Sequence, residues 1–163
     1  MALENLSKQS TEGCLAPGLH QEVIQGIGTT ERQLLPSESH SLILLDASDQ
    51  ITVRLPTPVL GMMFEFLTTV SVTSSDTHKV ITKTIASEFM IGGIGAFATD
   101  IAVGGDSFSA NGTTHVALES NGSTTGGILG QHIVFRAIST TQWAVSGAMV
   151  GTTGTQLTPF ATS

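Results

Sequence analysis

Residues 51–69, ITVRLPTPVLGMMFEFLTT, alternate apolar and polar side chains on both sides of a break that contains Pro56, Pro58 and Gly61. A period of two places successive side chains on opposite faces of a β-strand. Proline has no backbone N–H to donate within a sheet, so both prolines suit a strand end or a sheet edge. The segment therefore predicts two strands with a change of direction between them. We expect their apolar faces to lie in the core, through Ile51, Val53, Leu55, Phe64 and Phe66.

Further short strands are predicted after this unit, in HKVITKTI, GAFATDIAV, THVALES, QHIVFRAI and TQWAVSGAMV, and before it in SLILLDA. Turn signals separate them, among them the Gly-Gly pairs at 92–93 and 126–127 and the Asn-Gly pairs at 111–112 and 121–122. No window of helical length keeps a 3.6-residue period. Trp143 shares the phase of Val145 on a late strand, so we expect it in the core or at a subunit contact. The fold predicted for residues 40–163 is all-β, a jelly-roll-like β-sandwich or barrel of about eight strands.

Residues 1–39 differ in kind from the rest, because they are polar, carry scattered aliphatic residues and are broken by glycine and proline. This pattern predicts an extended N-terminal arm. Sparse apolar residues gain little by folding on themselves but can dock on a neighbouring protein. The alternative is a loose terminus without a docking role. The predicted contact residues are Leu3, Leu6, Leu15, Leu19, Val23, Ile24 and Ile27.

Composition narrows the function classes. The 163 residues suit one domain, and 13 Asp and Glu against 6 Lys and Arg give a net charge of −7. Because that field repels phosphate, we expect no nucleic-acid partner. Cys14 is the single cysteine, which excludes an intramolecular disulfide and suits a reducing compartment. No stretch approaches the roughly 18 apolar residues of a membrane span, and the start of the chain lacks the pattern of a signal peptide, so no membrane association is expected.

One segment offers a catalytic alternative. Residues 105–109, GDSFS, resemble the nucleophile block of the GDSL hydrolases, which would make Ser107 a nucleophile. That chemistry needs a histidine base and an orienting carboxylate, which the family supplies as Asp-x-x-His. No histidine of this chain has aspartate three residues before it. The hairpin interpretation of residues 101–112 is therefore favoured, and we expect no catalytic residue.

Metal binding is not expected either. The five histidines are dispersed along the sequence, whereas a zinc site needs about four converging ligands, so each histidine is expected at the surface or at an interface. Two aspartate pairs, Asp46 with Asp49 and Asp100 with Asp106, leave calcium as an alternative, although Asp in such runs more often forms turns. The sequence predicts neither a metal nor another cofactor.

Three segments together resemble a known pattern: LLPSESHSLILLDASDQITVRLPTPVLGMMFEFLTTV, EFMIGGIGAF and QHIVFRAISTTQWAVSG. A strand entering Leu-Pro-x-Pro, a glycine, a Phe-x-Phe strand and a closing Trp-x-Val-Ser-Gly are similar to a small β-domain of tailed-bacteriophage virion proteins. The resemblance spans roughly residues 34–150. Such a domain occurs particularly in capsid decoration proteins, also called cement proteins, and also serves in head fibres and tail proteins.

The resemblance implies a virion structural protein without enzymatic activity. Such a protein binds the major capsid protein of an assembled lattice, often as a homotrimer at local three-fold positions on the outer capsid surface, and is made in the host cytoplasm. The N-terminal arm would then reach over a capsid subunit or a neighbouring copy. The alternatives are a head-fibre, tail or receptor-binding module, which would recognise its target through loops around residues 104–127, and more remotely a serine esterase at Ser107.

Overall fold

The computed structural model describes residues 22–27, 31–73, 75–100, 105–152 and 155–163. Within these ranges the chain forms twelve β-strands and one short 3₁₀ helix, Pro36–Glu38. The strands are β1 Val23–Ile24, β2 Arg32–Gln33, β3 Leu42–Leu45, β4 Thr52–Arg54, β5 Met63–Thr68, β6 His78–Ile81, β7 Phe89–Ala98, β8 Asp106–Asn111, β9 Ala117–Ser120, β10 His132–Ala137, β11 Gln142–Gly151 and β12 Phe160–Ala161.

The strands make two sheets that pack face to face. The seven-stranded sheet has the order β1-β3-β5-β10-β11-β7-β8, and the five-stranded sheet has the order β12-β9-β6-β4-β2. The buried side chains of both inner faces form one hydrophobic cluster. This arrangement confirms the all-β sandwich predicted from the sequence. The four strands beyond the predicted eight are β1, β2 and β12, which have only two residues each and give no measurable periodicity, and β8, which lies in the segment 101–112 interpreted as a hairpin.

Both sheets are mixed, because the chain alternates between them. β3 and β5 lie in the seven-stranded sheet with β4 of the other sheet between them in sequence, so β3 and β5 run in parallel, with Leu42 opposite Glu65. β4 and β6 are parallel for the same reason, with Val53 opposite Val80. A crossover through the opposite sheet replaces the helix that usually connects parallel strands.

The six residues expected in the core are all buried. Their exposed fractions are 0% for Ile51, Val53, Leu55, Phe64 and Trp143 and 2% for Phe66. Two aromatic contacts organise this core: the rings of Phe64 and Trp143 lie 5.9 Å apart, and the rings of Phe66 and Phe135 meet edge to face at 5.3 Å. Such tilted and edge-to-face pairs are the arrangements that aromatic rings prefer.

The break in residues 55–62 carries the chain from one sheet to the other. Pro56 and Pro58 are buried at the end of β4, where no strand neighbour requires an N–H donor. Gly61 adopts a φ of 92°, and its N–H donates to the Ala137 carbonyl at 3.0 Å. Leu60, in the same turn, is 73% exposed. The change of direction therefore depends on Pro56, Pro58 and Gly61, the residues that interrupt the alternating pattern.

The turn predicted at Gly92-Gly93 is wrong, because both residues lie inside β7. Gly92 has a φ of 115°, and a Cβ there would collide with the backbone carbonyl oxygen of Val145 on β11. Glycine is needed here for close approach of two strands rather than for a turn. Of the strand predicted in GAFATDIAV, residues 95–103, β7 includes only the part up to Ala98. Phe97 is 55% exposed, and residues 101–103 lie outside the described ranges.

Two segments of the predicted arm belong to the sandwich. β1 pairs with β3 and β2 pairs with β4, each in parallel register. Ile24 and Leu34 are buried at 4% and 1% exposure. These two-residue strands at the sheet edges satisfy their backbone groups by pairing with a neighbouring strand, and the sequence pattern gives no sign of that pairing. The body thus includes residues 22–27 and 31–39, whereas the boundary predicted from the sequence lies at residue 40.

Candidate functional site

The outer face of the seven-stranded sheet is the most distinctive surface of the molecule. Strict alternation in β5 and β10 buries every second side chain and directs the others outward. Three outward positions on these strands carry ionisable groups, namely Glu65, His132 and Arg136. The apolar outward residues are Val23, Leu42, Leu44, Met63, Leu67, Phe89, Ile91, Phe97, Val134, Ala144, Ala148 and Val150. We call this surface the apolar face.

The middle of the apolar face is flat. Gly93 of β7 lies beside Ser146 of β11, so only small residues occupy this strip. At Gly95, by contrast, the ring of Phe97 covers the backbone, with its Cε2 atom 3.2 Å from the position that a Cβ would take. A Cβ at Gly93 would make only an ordinary contact, 3.4 Å from a backbone oxygen, so this chain's own packing does not require glycine there. One row across the sheet reads Leu42, Glu65, Val134, Ser146, Gly93 and Ser109.

The outer face of the five-stranded sheet is different in character. It carries Arg54 and Lys79, which make ion pairs with Glu31 at 2.7 Å and with Glu119 at 2.8 Å. The hydrogen bond from Arg54 lowers the pKa of Glu31, which strengthens that pair. Paired charges of this kind are typical of a sheet face in contact with water. The two outer faces therefore differ in character, one mainly apolar and the other ion-paired.

The few charges on the apolar face have both signs. His132 Nε2 lies 3.6 Å from Glu65 Oε2, and the Arg136 guanidinium reaches the sulfur of Met63 at 3.4 Å. The Glu65 carboxylate is about a quarter exposed and His132 about half exposed. A second copy of the same surface would therefore meet opposite charges as well as apolar area.

The residues predicted as arm contacts fall into three groups. Val23 is 52% exposed and lies on the outward side of β1 beside the apolar face. Ile24 is buried in this chain's own core, and Ile27 is partly buried against it. Neither side chain is therefore free to contact a neighbouring protein, contrary to the expectation for the arm. Leu3, Leu6, Leu15 and Leu19 lie outside the described residues.

Ser107, the alternative nucleophile, is exposed on β8 at the edge of the seven-stranded sheet. Among the described residues, no hydrogen bond links it to a histidine. His115, at the far end of β8, accepts instead from the backbone N–H of Asn111 at 3.1 Å and stacks on Phe160. The antiparallel pairing of β7 and β8 is that of a hairpin.

The other titratable groups that the structure describes do not gather into a site. Within the described ranges, no group of three or more His, Cys, Asp or Glu side chains could hold a metal ion. Asp46, one of the calcium alternatives, accepts from the Gly26 N–H at 2.8 Å and so fastens the segment that follows β1. In the described part of the chain, no helix is both long and apolar enough to cross a membrane.

His78 departs from the expectation of a surface histidine, because it is only 2% exposed. Burial lowers its pKa, while hydrogen bonds to the carbonyls of Ala47 and Asp49 and the charge of Asp76 act in the opposite direction. The signal was present in the sequence, since His78 shares strand parity with Val80 and both point inward.

Two of the loops that the receptor-binding alternative requires lie apart in the described part of the chain. The segment 112–116 precedes β9 and bonds to Met90 at the start of β7, whereas the segment 121–127 follows β9 and bonds to Val72. The two segments therefore lie at opposite ends of the sandwich.

The apolar face was missed in the sequence, although a signal for it exists. LILL in β3 is apolar at four consecutive positions, which is typical of a strand covered on both faces.

Comparison with protein-family models, curated protein sequences and solved structures found no match for this chain.

Proposed function

We propose that this chain is a virion structural protein of a tailed bacteriophage that assembles as a homotrimer and binds the outer surface of the assembled capsid lattice. The observation that carries the proposal is the apolar face, a flat surface opposite an ion-paired one on a stiff sandwich. The resemblance of residues 34–150 to capsid decoration proteins supports the same conclusion.

The apolar face is assigned to the contact between copies. Permanent subunit interfaces are more apolar than transient ones, and a flat strip at Gly93 and Ser146 suits close packing of sheet surfaces. Glu65 of one copy would face Arg136 or His132 of another around a three-fold axis. Three copies with this face toward the axis leave the ion-paired faces in water.

Attachment to the capsid then gains from repetition. A trimer presents three equivalent attachment points to three equivalent lattice sites, so weak contacts combine into stable binding. The leucines at 3, 6, 15 and 19 stay the predicted source of those contacts. The net charge of −7 suits the outside of a shell, because acidic groups facing packaged DNA would be repelled.

Charge insertion at Gly93 tests the subunit contact. Gly93→Lys projects a long cation from the flat strip, and we expect wild-type protein to sediment as a trimer and the variant as a monomer. Gly93→Ala at the same site and Thr52→Lys on the ion-paired face should remain trimeric. A wild-type monomer, or a trimer indifferent to Gly93→Lys, would refute the assignment of the apolar face.

Capsid binding tests the function itself. Purified protein mixed with expanded capsids of the same virus, stripped of accessory proteins, should co-sediment at a saturating stoichiometry that matches the number of lattice sites. Removal of residues 1–21 should weaken retention while the body stays folded. Binding at the tail alone would instead support the fibre or receptor-binding alternative.

A further inference from the structure

Two turns, one before β9 and one after it, share a sequence pattern and a set of hydrogen bonds. Residues 111–115 are NGTTH and residues 121–125 are NGSTT, and these are the two places in the chain where glycine follows asparagine. We call them the Asn-Gly turns. Gly112 and Gly122 have φ angles of 78° and 72°, a conformation that strains any residue with a side chain. The shape of both turns therefore requires the glycine.

In the first turn the side-chain amide of Asn111 is held by its neighbours. Its Oδ1 accepts from the backbone N–H of Thr113 at 3.0 Å and from that of Thr114 at 2.9 Å, which uses both lone pairs. Its Nδ2 donates to Thr114 Oγ1 at 2.7 Å. The N–H of Gly112 donates to the Met90 carbonyl oxygen at 2.8 Å. The asparagine amide and the glycine nitrogen are thus both engaged.

The second turn repeats this arrangement. Asn121 Oδ1 accepts from two backbone N–H groups further along the turn, at 3.0 Å and 3.1 Å. Its Nδ2 donates to Thr124 Oγ1 at 3.2 Å. The N–H of Gly122 donates to the Gly126 carbonyl oxygen at 2.7 Å. In both turns the threonine three residues after the asparagine accepts from the amide nitrogen.

Asparagine is a chemically labile residue, and a following glycine, which has no side chain, leaves its own backbone nitrogen unhindered. That nitrogen loses its proton and attacks Cγ of the asparagine, a C–N bond forms, and the side-chain nitrogen leaves as ammonia. The product is a five-membered succinimide. Water then opens the ring at either carbonyl, which gives aspartate or isoaspartate. The reaction therefore requires a free glycine nitrogen and an asparagine side chain that can rotate onto it.

We infer that the folded chain resists this deamidation at both Asn-Gly turns, and that Thr114 and Thr124 hold the two asparagine amides in the unreactive position. The hydrogen bond to a carbonyl oxygen keeps the proton on each glycine nitrogen. Each asparagine must also break its own hydrogen bonds before Cγ can reach that nitrogen. One hydrogen bond changes an equilibrium several-fold, so the bonds of one turn together slow the reaction by about tenfold or more.

Deamidation would disturb the turns themselves. Either product replaces a neutral amide by a carboxylate, which cannot donate to the threonine hydroxyl, and isoaspartate also lengthens the backbone. The backbone at Gly122 is packed so closely that even a Cβ would collide with the Val72 carbonyl oxygen. This resistance follows from the hydrogen bonds alone and does not depend on the proposed function. It would suit a virion protein, because new synthesis does not replace such a protein after the particle leaves its host.

Peptide mapping by mass spectrometry measures the conversion of each asparagine separately. The full chain is incubated in mildly alkaline buffer, once folded and once kept unfolded in guanidinium chloride. We expect both Asn111 and Asn121 to convert in the unfolded chain, and each to convert about tenfold or more slowly in the folded protein. Equal rates in the folded and unfolded chain at either turn would overturn the inference.

Two variants test the threonines. Thr114→Val removes the hydroxyl but keeps a branched side chain, and we expect conversion at Asn111 in the folded protein to rise about fivefold while Asn121 of the same molecule stays unchanged. Thr124→Val should show the reverse. Thr113→Val is the matched control, because Thr113 contributes a backbone N–H that valine retains. An unchanged rate at Asn111 in Thr114→Val, or an equal rise at both asparagines, would contradict the role assigned to the threonines.

Discussion

Truncation of Phe64 to alanine tests the packing of the core where β5 meets β11. Phe64 is 0% exposed and its ring lies 5.9 Å from that of Trp143. A buried phenylalanine removes roughly 150 Å² from water, which at about 25 cal/mol per Å² amounts to about 4 kcal/mol. Measured Phe→Ala substitutions in cores cost about 3–5 kcal/mol, since the remaining cavity collapses only in part. We expect a loss of that size in the free energy of unfolding.

Urea unfolding followed by the fluorescence of Trp143, the single tryptophan, measures this loss. Protein concentration is kept fixed, because the proposed subunit association would contribute to apparent stability. The matched control is Leu60→Ala, which truncates an apolar side chain that is 73% exposed in the adjoining turn and should change stability by less than about 0.5 kcal/mol. A loss below about 1 kcal/mol for Phe64→Ala would refute the core assignment.

Three further predictions follow from local geometry. Gly92→Ala should cost about 2 kcal/mol or more because a Cβ collides with the neighbouring strand, whereas Gly93→Ala should stay within about 0.5 kcal/mol; thermal unfolding of the pair measures both. The pKa of His78 is lowered in the folded protein from its ordinary 6.5, so the unfolded chain binds the proton more tightly. The contribution of His78 to the free energy of unfolding is therefore full above pH 6.5 and falls as the pH decreases toward the folded-state pKa. Urea titrations at several pH values should show that His78→Gln removes this part of the pH dependence. Glu31→Gln should lower the free energy of unfolding by less than about 1 kcal/mol, because the ion pair with Arg54 is partly exposed. Salt screens such a pair, so the loss should be smaller in high salt, and equal losses at low and high salt would contradict this prediction.

The core could be predicted from the sequence because its signal is local. Alternation in residues 63–68 places Phe64 and Phe66 on one face and the outward residues on the other. The same rule applied to HKVI points His78 inward beside Val80, although a lone histidine suggested a surface position. The alternation along a strand therefore predicts which face of the sheet a side chain occupies, whereas residue type alone gave the wrong position for His78.

The sheet pairing could not be predicted, because it depends on distant segments. Nothing near Arg32 and Gln33 indicates that they pair with β4, since two polar residues carry no alternation. The sequence predicts a turn at Gly92 because glycine allows a positive φ. A positive φ occurs both in turns and where two strands approach closely, and the sequence does not distinguish the two. The apolar face likewise emerges only when seven strands from positions 23 to 151 are placed side by side.

A cryo-electron microscopy map of the virus particle is the most direct test of the proposed function. We expect trimers of this chain at repeated positions on the outer capsid surface, with the apolar face around Gly93 packed against neighbouring copies and the Arg54 side of the sandwich in solvent. Density for the chain at the tail alone, or trimers whose apolar face is open to solvent, would contradict it.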